Sequence, residues 1–323
     1  MTAAPPLPRG AAIAPGYEVI EHLRRGNALD VYDVWSEQRA CRCIVKALRP
    51  DRGDDAGARR RLIEEGGLLA ALSHPHIVRG YETIAEPLPL VVMETLVGET
   101  LGHMVRERQV ELTVEEIAQL GLHLASAVRY LHLNGYLHLD LKPSNVIAEC
   151  GRAKLIDLSV ARPPGRAHAG IGTWCYMAPE QVRGGELGPA ADVWGIGAVL
   201  LEAATGEPAF DEPEASSRSG YAEDDASGWV STDGGSSSAS SGELESLDAA
   251  DHPQIRARAP RLDERRPLSA ALSDLVAACL EPEPGDRPSV RDLLAALEPL
   301  AGVPAAERRH AAIAGQDASA RRR

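Results

Sequence analysis

Lysine is rare in this chain, and the positions that keep it suggest chemistry with phosphate. Lysine and arginine together account for 34 residues, but only Lys46, Lys142 and Lys154 are lysine. A compact ammonium and a planar guanidinium are not equivalent where a phosphate must be met as a point charge in a tight site. The three lysines are therefore candidate phosphate contacts, although chance survival explains any one of them alone equally well.

The densest group of reactive side chains surrounds the second of these lysines. Residues 136–145 read Tyr-Leu-His-Leu-Asp-Leu-Lys-Pro-Ser-Asn, and Asp157 follows Asn145 by twelve residues. This pattern resembles the catalytic loop and the metal-binding segment of the protein kinase family. Phosphoryl transfer needs an in-line hydroxyl and neutralised phosphate oxygens but little covalent chemistry from the protein. Two carboxylates with different tasks and one ammonium form an economical set of groups for this reaction.

The resemblance implies a role for each residue of this group. Asp140 would accept the proton of the substrate hydroxyl, and Lys142 would contact the γ-phosphate. Asn145 and Asp157 would hold magnesium. A lysine two residues beyond the catalytic aspartate is similar to the Ser/Thr branch of the family rather than to the Tyr branch. His138 is expected to shape the loop.

A second motif resembles the nucleotide-binding strand of the family. Residues 43–46 read Cys-Ile-Val-Lys, which is similar to the third-strand motif and would place Lys46 on the α- and β-phosphates. Its expected partner on the following helix is Glu65, nine residues before the His-Pro pair at 74–75, with Glu64 as the alternative.

The hinge is expected directly after the nucleotide-binding strands. Residues 93–96, Met-Glu-Thr-Leu, resemble the gatekeeper and hinge of the family. Backbone groups of Glu94 and Leu96 would bond the adenine. The resemblance therefore implies ATP as the phosphoryl donor with magnesium as its metal, and manganese as a possible substitute.

The loop that should cover the phosphates departs from the family pattern. In a Gly-rich loop that ends at Val31, the three glycine positions are occupied by Arg24, Gly26 and Leu29. Side chains at two of them should hinder the close approach of backbone N–H groups to phosphate, which puts the nucleotide affinity in doubt. A direct phosphate contact from Arg24 or Arg25 would compensate; solvated arginines on a hairpin are the alternative.

The second half of the chain resembles the peptide-docking and supporting motifs of the family. Residues 172–180 read Gly-Thr-Trp-Cys-Tyr-Met-Ala-Pro-Glu, in which Thr173 is expected to bond the catalytic aspartate and lysine. Glu180 would pair with Arg287 in a buried bridge, and Asp192 would support the catalytic loop from below. Together these positions favour a protein kinase over a small-molecule kinase.

Regulation by phosphorylation of the activation segment is not expected. Residues 160–172 contain no Ser, Thr or Tyr, and Leu139 stands where most regulated kinases carry an arginine that clamps such a phosphate. Pro163 and Pro164 reduce the entropy of ordering the segment. Ser159 replaces the glycine of the metal-binding segment, which is expected to restrict flipping of Asp157.

The elements that must position these residues change character along the chain. The first part alternates apolar and polar residues in β-like runs, and the part after Gly98 has helical apolar spacing. The predicted strands are 17–23, 31–35, 41–48, 77–84 and 90–93, and the predicted helices are 58–72, 114–133, 192–205, 268–280 and 290–300. This order predicts an α+β, two-lobed protein-kinase fold.

The domain boundaries follow from composition and from the extent of the resemblance. The kinase domain is predicted at 17–301, with an N-lobe at 17–93, a hinge at 94–98 and a C-lobe at 99–301. Residues 1–16 and 302–323 are predicted to be tails. An insertion at about 211–252 is predicted to be disordered, since residues 211–251 hold eleven serines and eleven acidic residues against one arginine. That segment carries −10 of the net charge of −13.

Composition also limits location and partners. Five scattered cysteines do not form a disulfide framework, so the reducing cytoplasm is the expected location. Cys41 and Cys43 are interpreted as packing residues of a strand. The most apolar stretch, 193–204, is interrupted by Glu202, so no membrane span is expected, and no basic patch for nucleic acid precedes the last three arginines. Protein substrates with Ser or Thr are the expected partners, and the oligomeric state stays open.

One alternative function stays open. A pseudokinase scaffold, which uses the fold for binding with weak or no catalysis, would fit the altered Gly-rich loop. The intact catalytic and metal-binding positions favour an active Ser/Thr protein kinase.

Overall fold

Alternating residues near the start of the chain form a twisted antiparallel sheet. The computed structural model describes residues 4–210 and 252–302; the predicted acidic insertion, apart from its last residue, and the C-terminal tail after residue 302 lie outside the described residues. The sheet has six strands in the order β1-β2-β3-β4-β6-β5. Its strands are β1 (Ala12–Ala14), β2 (Tyr17–Arg25), β3 (Leu29–Ser36), β4 (Cys41–Leu48), β5 (Gly80–Ile84) and β6 (Leu90–Glu94).

One helix, α1 (Ala56–Ala71), packs on the inner face of this sheet. The Asp55 side chain caps it by accepting a hydrogen bond from the backbone N–H of Ala58 at 2.8 Å. Leu62 and Leu69 lie on its buried face, one turn to either side of Glu65. The helix therefore aims one carboxylate into the interior together with its apolar residues.

The prediction that residues 1–16 form a disordered tail is wrong for the described part of that segment. β1 pairs antiparallel with β2, and Gly10 N–H donates to Val19 O at 2.8 Å. Leu7 and Ile13 pack against a separate apolar cluster on the outer face of the sheet. The segment is short, but it covers apolar surface that β2 to β4 would otherwise expose, which its Pro/Ala-rich composition does not indicate.

The C-lobe is mainly helical and is built around one buried helix. α4 (Pro189–Thr205) is buried on all sides from residue 191 to residue 204, as expected for a helix that is apolar nearly all round, and it carries two buried carboxylates, Asp192 and Glu202. The other long helices are α2 (Val114–Leu133), α7 (Ala270–Cys279) and α8 (Val290–Leu300), and the short ones are α3 (Pro179–Arg183), α5 (Pro253–Arg256) and α6 (Leu262–Arg265). A capping box between Thr113 and Glu116 fixes the start of α2.

Short strands between these helices carry the loops of the site. β7 (Glu99–Thr100), β8 (Val146–Glu149) and β9 (Arg152–Leu155) form a three-stranded sheet, and β10 (Gly165–Ala167) pairs with β11 (Gly185–Leu187). This arrangement confirms the α+β, two-lobed fold class. The predicted strand at 77–84 begins only at Gly80, because Ile77 instead forms a single bridge to Leu155 of the other lobe. No helix among residues 4–210 and 252–302 is long and apolar enough to cross a membrane.

Candidate active site

The loop that contains Asp140 is held from below by a buried carboxylate on α4. Asp192 accepts hydrogen bonds from the backbone N–H groups of His138 at 2.9 Å and Leu139 at 2.7 Å. His132 of α2 lies 2.8 Å from the same carboxylate. Leu139 has a φ of 64°, a left-handed conformation that is unfavourable for a leucine. The hydrogen bonds that the Asp192 carboxylate accepts therefore stabilise a strained turn at Leu139. This strain could not be inferred from the spacing of the residues in the sequence.

The carboxylate of Asp140 is bonded on both oxygens. Thr173 donates its hydroxyl to Oδ1 at 2.6 Å, and Lys142 Nζ lies 3.0 Å from Oδ2. Lys142 also donates to the Thr173 hydroxyl at 2.8 Å. Asn145 donates its amide to Asp140 Oδ2 at 3.1 Å and to the Asp140 carbonyl at 3.0 Å. The structure thus brings Lys142, Asn145 and Thr173 into direct contact with Asp140.

His138 supports this loop from inside as a neutral ring. It is buried, and its Nδ1 accepts the backbone N–H of Asp140 at 3.3 Å. Burial lowers the pKa of His138 despite the nearby carboxylates of Asp192 and Asp140. The neutral ring fits the predicted structural role better than a role in proton transfer.

The second half of the site lies between the lobes, around Lys46. Lys46 Nζ is 2.7 Å from Glu65 Oε1 and 3.3 Å from Asp157 Oδ2. Glu64, the alternative partner, is exposed on the other side of α1. Burial opposes the charge of Lys46, but Asp157 and Glu65 outweigh it and raise the pKa of the ammonium, so Lys46 stays protonated. Val31 pairs with Lys46 across β3 and β4.

Asn145 and Asp157 have the donor atoms that a magnesium site needs. Burial raises the pKa of Asp157, but the Lys46 charge and the Ser159 hydrogen bonds outweigh it, so the pKa lies well below its usual range. Asn145 uses its nitrogen on Asp140, which leaves its side-chain oxygen as an acceptor. One carboxylate and one amide oxygen suit a Mg²⁺ ion that takes its other ligands from phosphate and water. Residues 4–210 and 252–302 contain no cluster of three or more His, Cys, Asp or Glu for a metal held by protein alone.

The hinge explains the third lysine. Lys154 of β9 lies 2.6 Å from Glu94, whose carboxylate also accepts the backbone N–H of Arg79 at 2.9 Å. Lys154 therefore contacts the hinge rather than a phosphate position, so its interpretation as a candidate phosphate contact is wrong. Leu96 is half-buried in the same segment. At Gly98 a Cβ would lie 2.1 Å from the Ala148 carbonyl oxygen, so only glycine allows the chain to approach β8 there.

The end of the peptide-docking segment is fixed to the C-lobe by a bidentate ion pair. Arg287 donates to both carboxylate oxygens of Glu180, at 2.7 and 2.9 Å. The Arg287 side chain is fully buried, lies over the Trp194 ring, and donates to three backbone carbonyls besides. The two residues are 107 positions apart, as the family motifs implied.

The activation segment is held by contacts that need no phosphate. Leu137 and Arg162 exchange backbone hydrogen bonds at 2.7 and 3.1 Å, and β10 pairs with β11. Gln181 donates its amide to the carbonyls of Leu139 at 2.8 Å and Ile171 at 2.7 Å. Gln181 thus ties the segment to the catalytic loop. Sequence reasoning missed it; its position directly after the Ala-Pro-Glu motif was the one available signal.

Two further groups beside the docking segment were also missed. Tyr176 donates to the buried carboxylate of Glu202 at 2.7 Å, and Arg106 approaches the same carboxylate to 2.8 Å. The Trp174 ring stacks on His252 with centroids 3.6 Å apart. Nothing local in the sequence pairs these residues, which meet only because α4 and the residues from 252 onward pack against the segment.

Gly26 lies at the tip of the hairpin between β2 and β3. Its N–H donates to Leu29 O at 2.7 Å. The Arg25 guanidinium donates to both oxygens of Asp30, at 2.9 and 2.8 Å. Two alternatives were left open for Arg25, a compensating phosphate contact and a solvated side chain; the structure shows neither, because the guanidinium pairs with Asp30 within the hairpin.

Comparison with known proteins adds an independent finding. The protein kinase domain family model matches residues 17–297. The serine/threonine-protein kinase PknB of Mycobacterium tuberculosis is 34% identical over 207 residues, which cover 60% of this chain and 33% of that protein. The serine/threonine-protein kinase PkaA of Streptomyces coelicolor is 31% identical over 269 residues, 80% of this chain and 42% of PkaA. The chain spans less than half the length of these relatives.

A solved structure shares the fold. The kinase domain of PknI from Mycobacterium tuberculosis superposes with a TM-score of 0.64 at 24% sequence identity, covering 91% of this chain and 100% of that domain.

Proposed function

Since the chain belongs to the protein kinase domain family, we propose that it transfers the γ-phosphate of ATP to Ser or Thr hydroxyls of protein substrates. The observation that carries the proposal is the group formed by Asp140, Lys142 and Thr173, in which the base, the cation and their tether lie within 3.0 Å of each other. The relatives named as serine/threonine-protein kinases support the choice of hydroxyl.

The residues divide the reaction between them. Asp140 would accept the proton of the substrate hydroxyl as its oxygen attacks the γ-phosphorus, and the bond to the β-phosphate oxygen breaks on the opposite side. Lys142 would offset the charge that accumulates on the transferred group, and Lys46 that on the α- and β-phosphates. Thr173 would keep the side chains of Asp140 and Lys142 aligned with each other during transfer.

Asn145 and Asp157 would hold magnesium on the phosphates. When bound, the ion supplies charge neutralisation of the phosphate oxygens. Asp157 is suited to this task because the Lys46 ammonium keeps it ionised. The predicted cytoplasmic location supplies ATP and keeps all five cysteines free, as they are here.

We predict magnesium-dependent incorporation of phosphate from γ-labelled ATP into Ser or Thr of the protein itself or of a generic protein substrate. Lys46→Met should reduce the labelling more than about 100-fold, since it removes an electrostatic contact worth several kcal/mol in the transition state. Phosphoamino acid analysis checks which hydroxyl is labelled. ATP binding without transfer in the wild type would instead support a scaffold.

The matched control for this test changes a cation outside the site. Arg291 is exposed on α8, so the Arg291→Ala variant should incorporate as much labelled phosphate as the wild type. If Lys46→Met and Arg291→Ala were equally active, Lys46 would have no part in the reaction.

We also predict that activity does not require phosphorylation of the activation segment. Gln181 and the backbone pairing of Leu137 with Arg162 already order the segment, and residues 160–172 offer no hydroxyl. The fully dephosphorylated protein, confirmed by intact mass, should therefore phosphorylate an exogenous peptide at a constant rate from the first measurement. A lag that shortens as the segment gains phosphate would contradict this.

A further inference from the structure

The backbone carbonyls at the tip of the nucleotide-covering hairpin are bound by Arg49, a residue outside the hairpin, and Arg52 donates to the Asn27 side chain at 3.2 Å. The carbonyl oxygens of Gly26 and Asn27 accept hydrogen bonds from one guanidinium nitrogen of Arg49, at 2.8 and 3.0 Å. The next carbonyl, that of Ala28, accepts the backbone N–H of Arg49 at 2.9 Å. The carbonyl groups of three successive residues of the loop therefore point toward the end of β4.

Arg49 is itself fixed before it reaches the loop. The two carboxylate oxygens of Asp51 accept hydrogen bonds from the other two guanidinium nitrogens of Arg49, at 3.2 and 2.6 Å. Arg49 is buried, with 8% of its surface exposed, so solvent competes little for these bonds. A planar guanidinium can bind a carboxylate on one edge and carbonyls on another, which an ammonium cannot do with the same geometry.

The stem of the hairpin is fixed as well. Asp30 is almost fully buried and pairs with Arg25 across the two strands. It also accepts from His22 Nε2 at 3.1 Å and from the Tyr32 hydroxyl at 3.3 Å. With the stem fixed, the orientation of the peptide planes at the tip depends on what binds their carbonyl oxygens, and that residue is Arg49.

These contacts fit a loop that has lost two glycines. A glycine loop can adjust its peptide planes to a phosphate at little steric penalty, whereas a loop with side chains at positions 24 and 29 has fewer conformations available. Such a loop binds best when its peptide planes are set before the nucleotide arrives, since the ordering entropy is then already lost in the free protein.

We propose that Arg49, held by Asp51, is a positioning residue for the nucleotide: it orders residues 26–28 in the free protein and so sustains ATP affinity without the usual glycines. The inference rests on the proposed function for its ATP readout. Its effect should be on the KM for ATP and not on the KM for peptide, because Arg49 contacts neither the docking segment nor the catalytic loop in this structure.

The test compares Arg49→Ala, Arg49→Lys and a matched control. Arg59→Ala removes another arginine that caps backbone carbonyls, those of Ala85 and Pro87, far along the chain from the hairpin. Arg49→Ala should raise the KM for ATP about tenfold, since fixing the backbone of about one residue is worth that factor. Arg49→Lys, which can reach one carbonyl, should fall between Arg49→Ala and the wild type, and Arg59→Ala should match the wild type.

Hydrogen exchange of residues 24–29 without nucleotide gives a second readout that needs no activity. Arg49→Ala should accelerate it at least tenfold, while peptides from α4 stay unchanged. Unchanged exchange and an unchanged KM for ATP would overturn the proposal, as would an equal effect on the KM values for ATP and peptide. If the wild type failed to bind ATP, the proposed function would fail, and the exchange experiment would still decide whether Arg49 orders the loop.

Discussion

Asp140→Asn should lower the rate of phosphoryl transfer about 10²–10⁴-fold, the range for loss of a positioned general base. The substitution conserves shape but replaces one oxygen by an amide nitrogen. In the wild type, one carboxylate oxygen of Asp140 accepts a hydrogen bond from Thr173, and the other faces the side-chain nitrogens of Lys142 and Asn145. An amide NH2 on the side of Lys142 and Asn145 would oppose two donors, and on the side of Thr173 it would reverse the hydrogen bond that the hydroxyl now donates, so the base is lost and its alignment changes.

The measurement is the initial rate on a peptide at saturating ATP and magnesium, together with the affinity for ATP measured by binding. We expect kcat to fall while ATP affinity changes less than about threefold, because Lys46 and the hinge are untouched. Asp54→Asn is the matched control: Asp54 is exposed before α1, and its loss should leave kcat unchanged. A variant that kept more than a tenth of the wild-type rate would show that Asp140 is not the base.

Arg287→Ala should destabilise the folded protein by about 3–5 kcal/mol, the usual result of removing one partner from a buried ion pair. The Arg287 side chain is fully buried, so its loss leaves the Glu180 carboxylate without its bidentate partner and three carbonyls without a donor. The packing of the guanidinium over the Trp194 ring is lost with it.

Thermal unfolding checks this prediction. For a domain of this size the expected loss corresponds to a decrease in Tm on the order of 10 °C. Arg291→Ala, a change of the same type at an exposed position only four residues along, should shift Tm by about 1 °C or less. Arg287→Lys keeps the charge without the planar fork and should recover only part of the stability. Equal Tm values for the alanine variants at 287 and 291 would contradict the buried-pair argument.

The catalytic loop could be predicted from the sequence because its chemistry is local. Asp140, Lys142 and Asn145 lie within six residues, and their spacing fixes which side chains can meet once the loop is formed. The fold class was equally accessible, since apolar alternation and helical spacing separate a β-rich first part from a helical second part. Glu65 rather than Glu64 could also be argued locally, because it shares a helix face with Leu62 and Leu69.

Contacts between distant segments were decided by tertiary structure alone. Arg49 is one of 31 arginines, and nothing near it in the sequence indicates that it faces the carbonyls of Gly26 and Asn27. Lys154 was recognised as unusual, but only the packing of β9 beside the hinge shows that its partner is Glu94. Composition predicted a disordered N-terminal tail, whereas residues 12–14 form a strand on β2. Local sequence records propensity and periodicity, but the partner of a long polar side chain depends on which surfaces the folded chain brings within its reach.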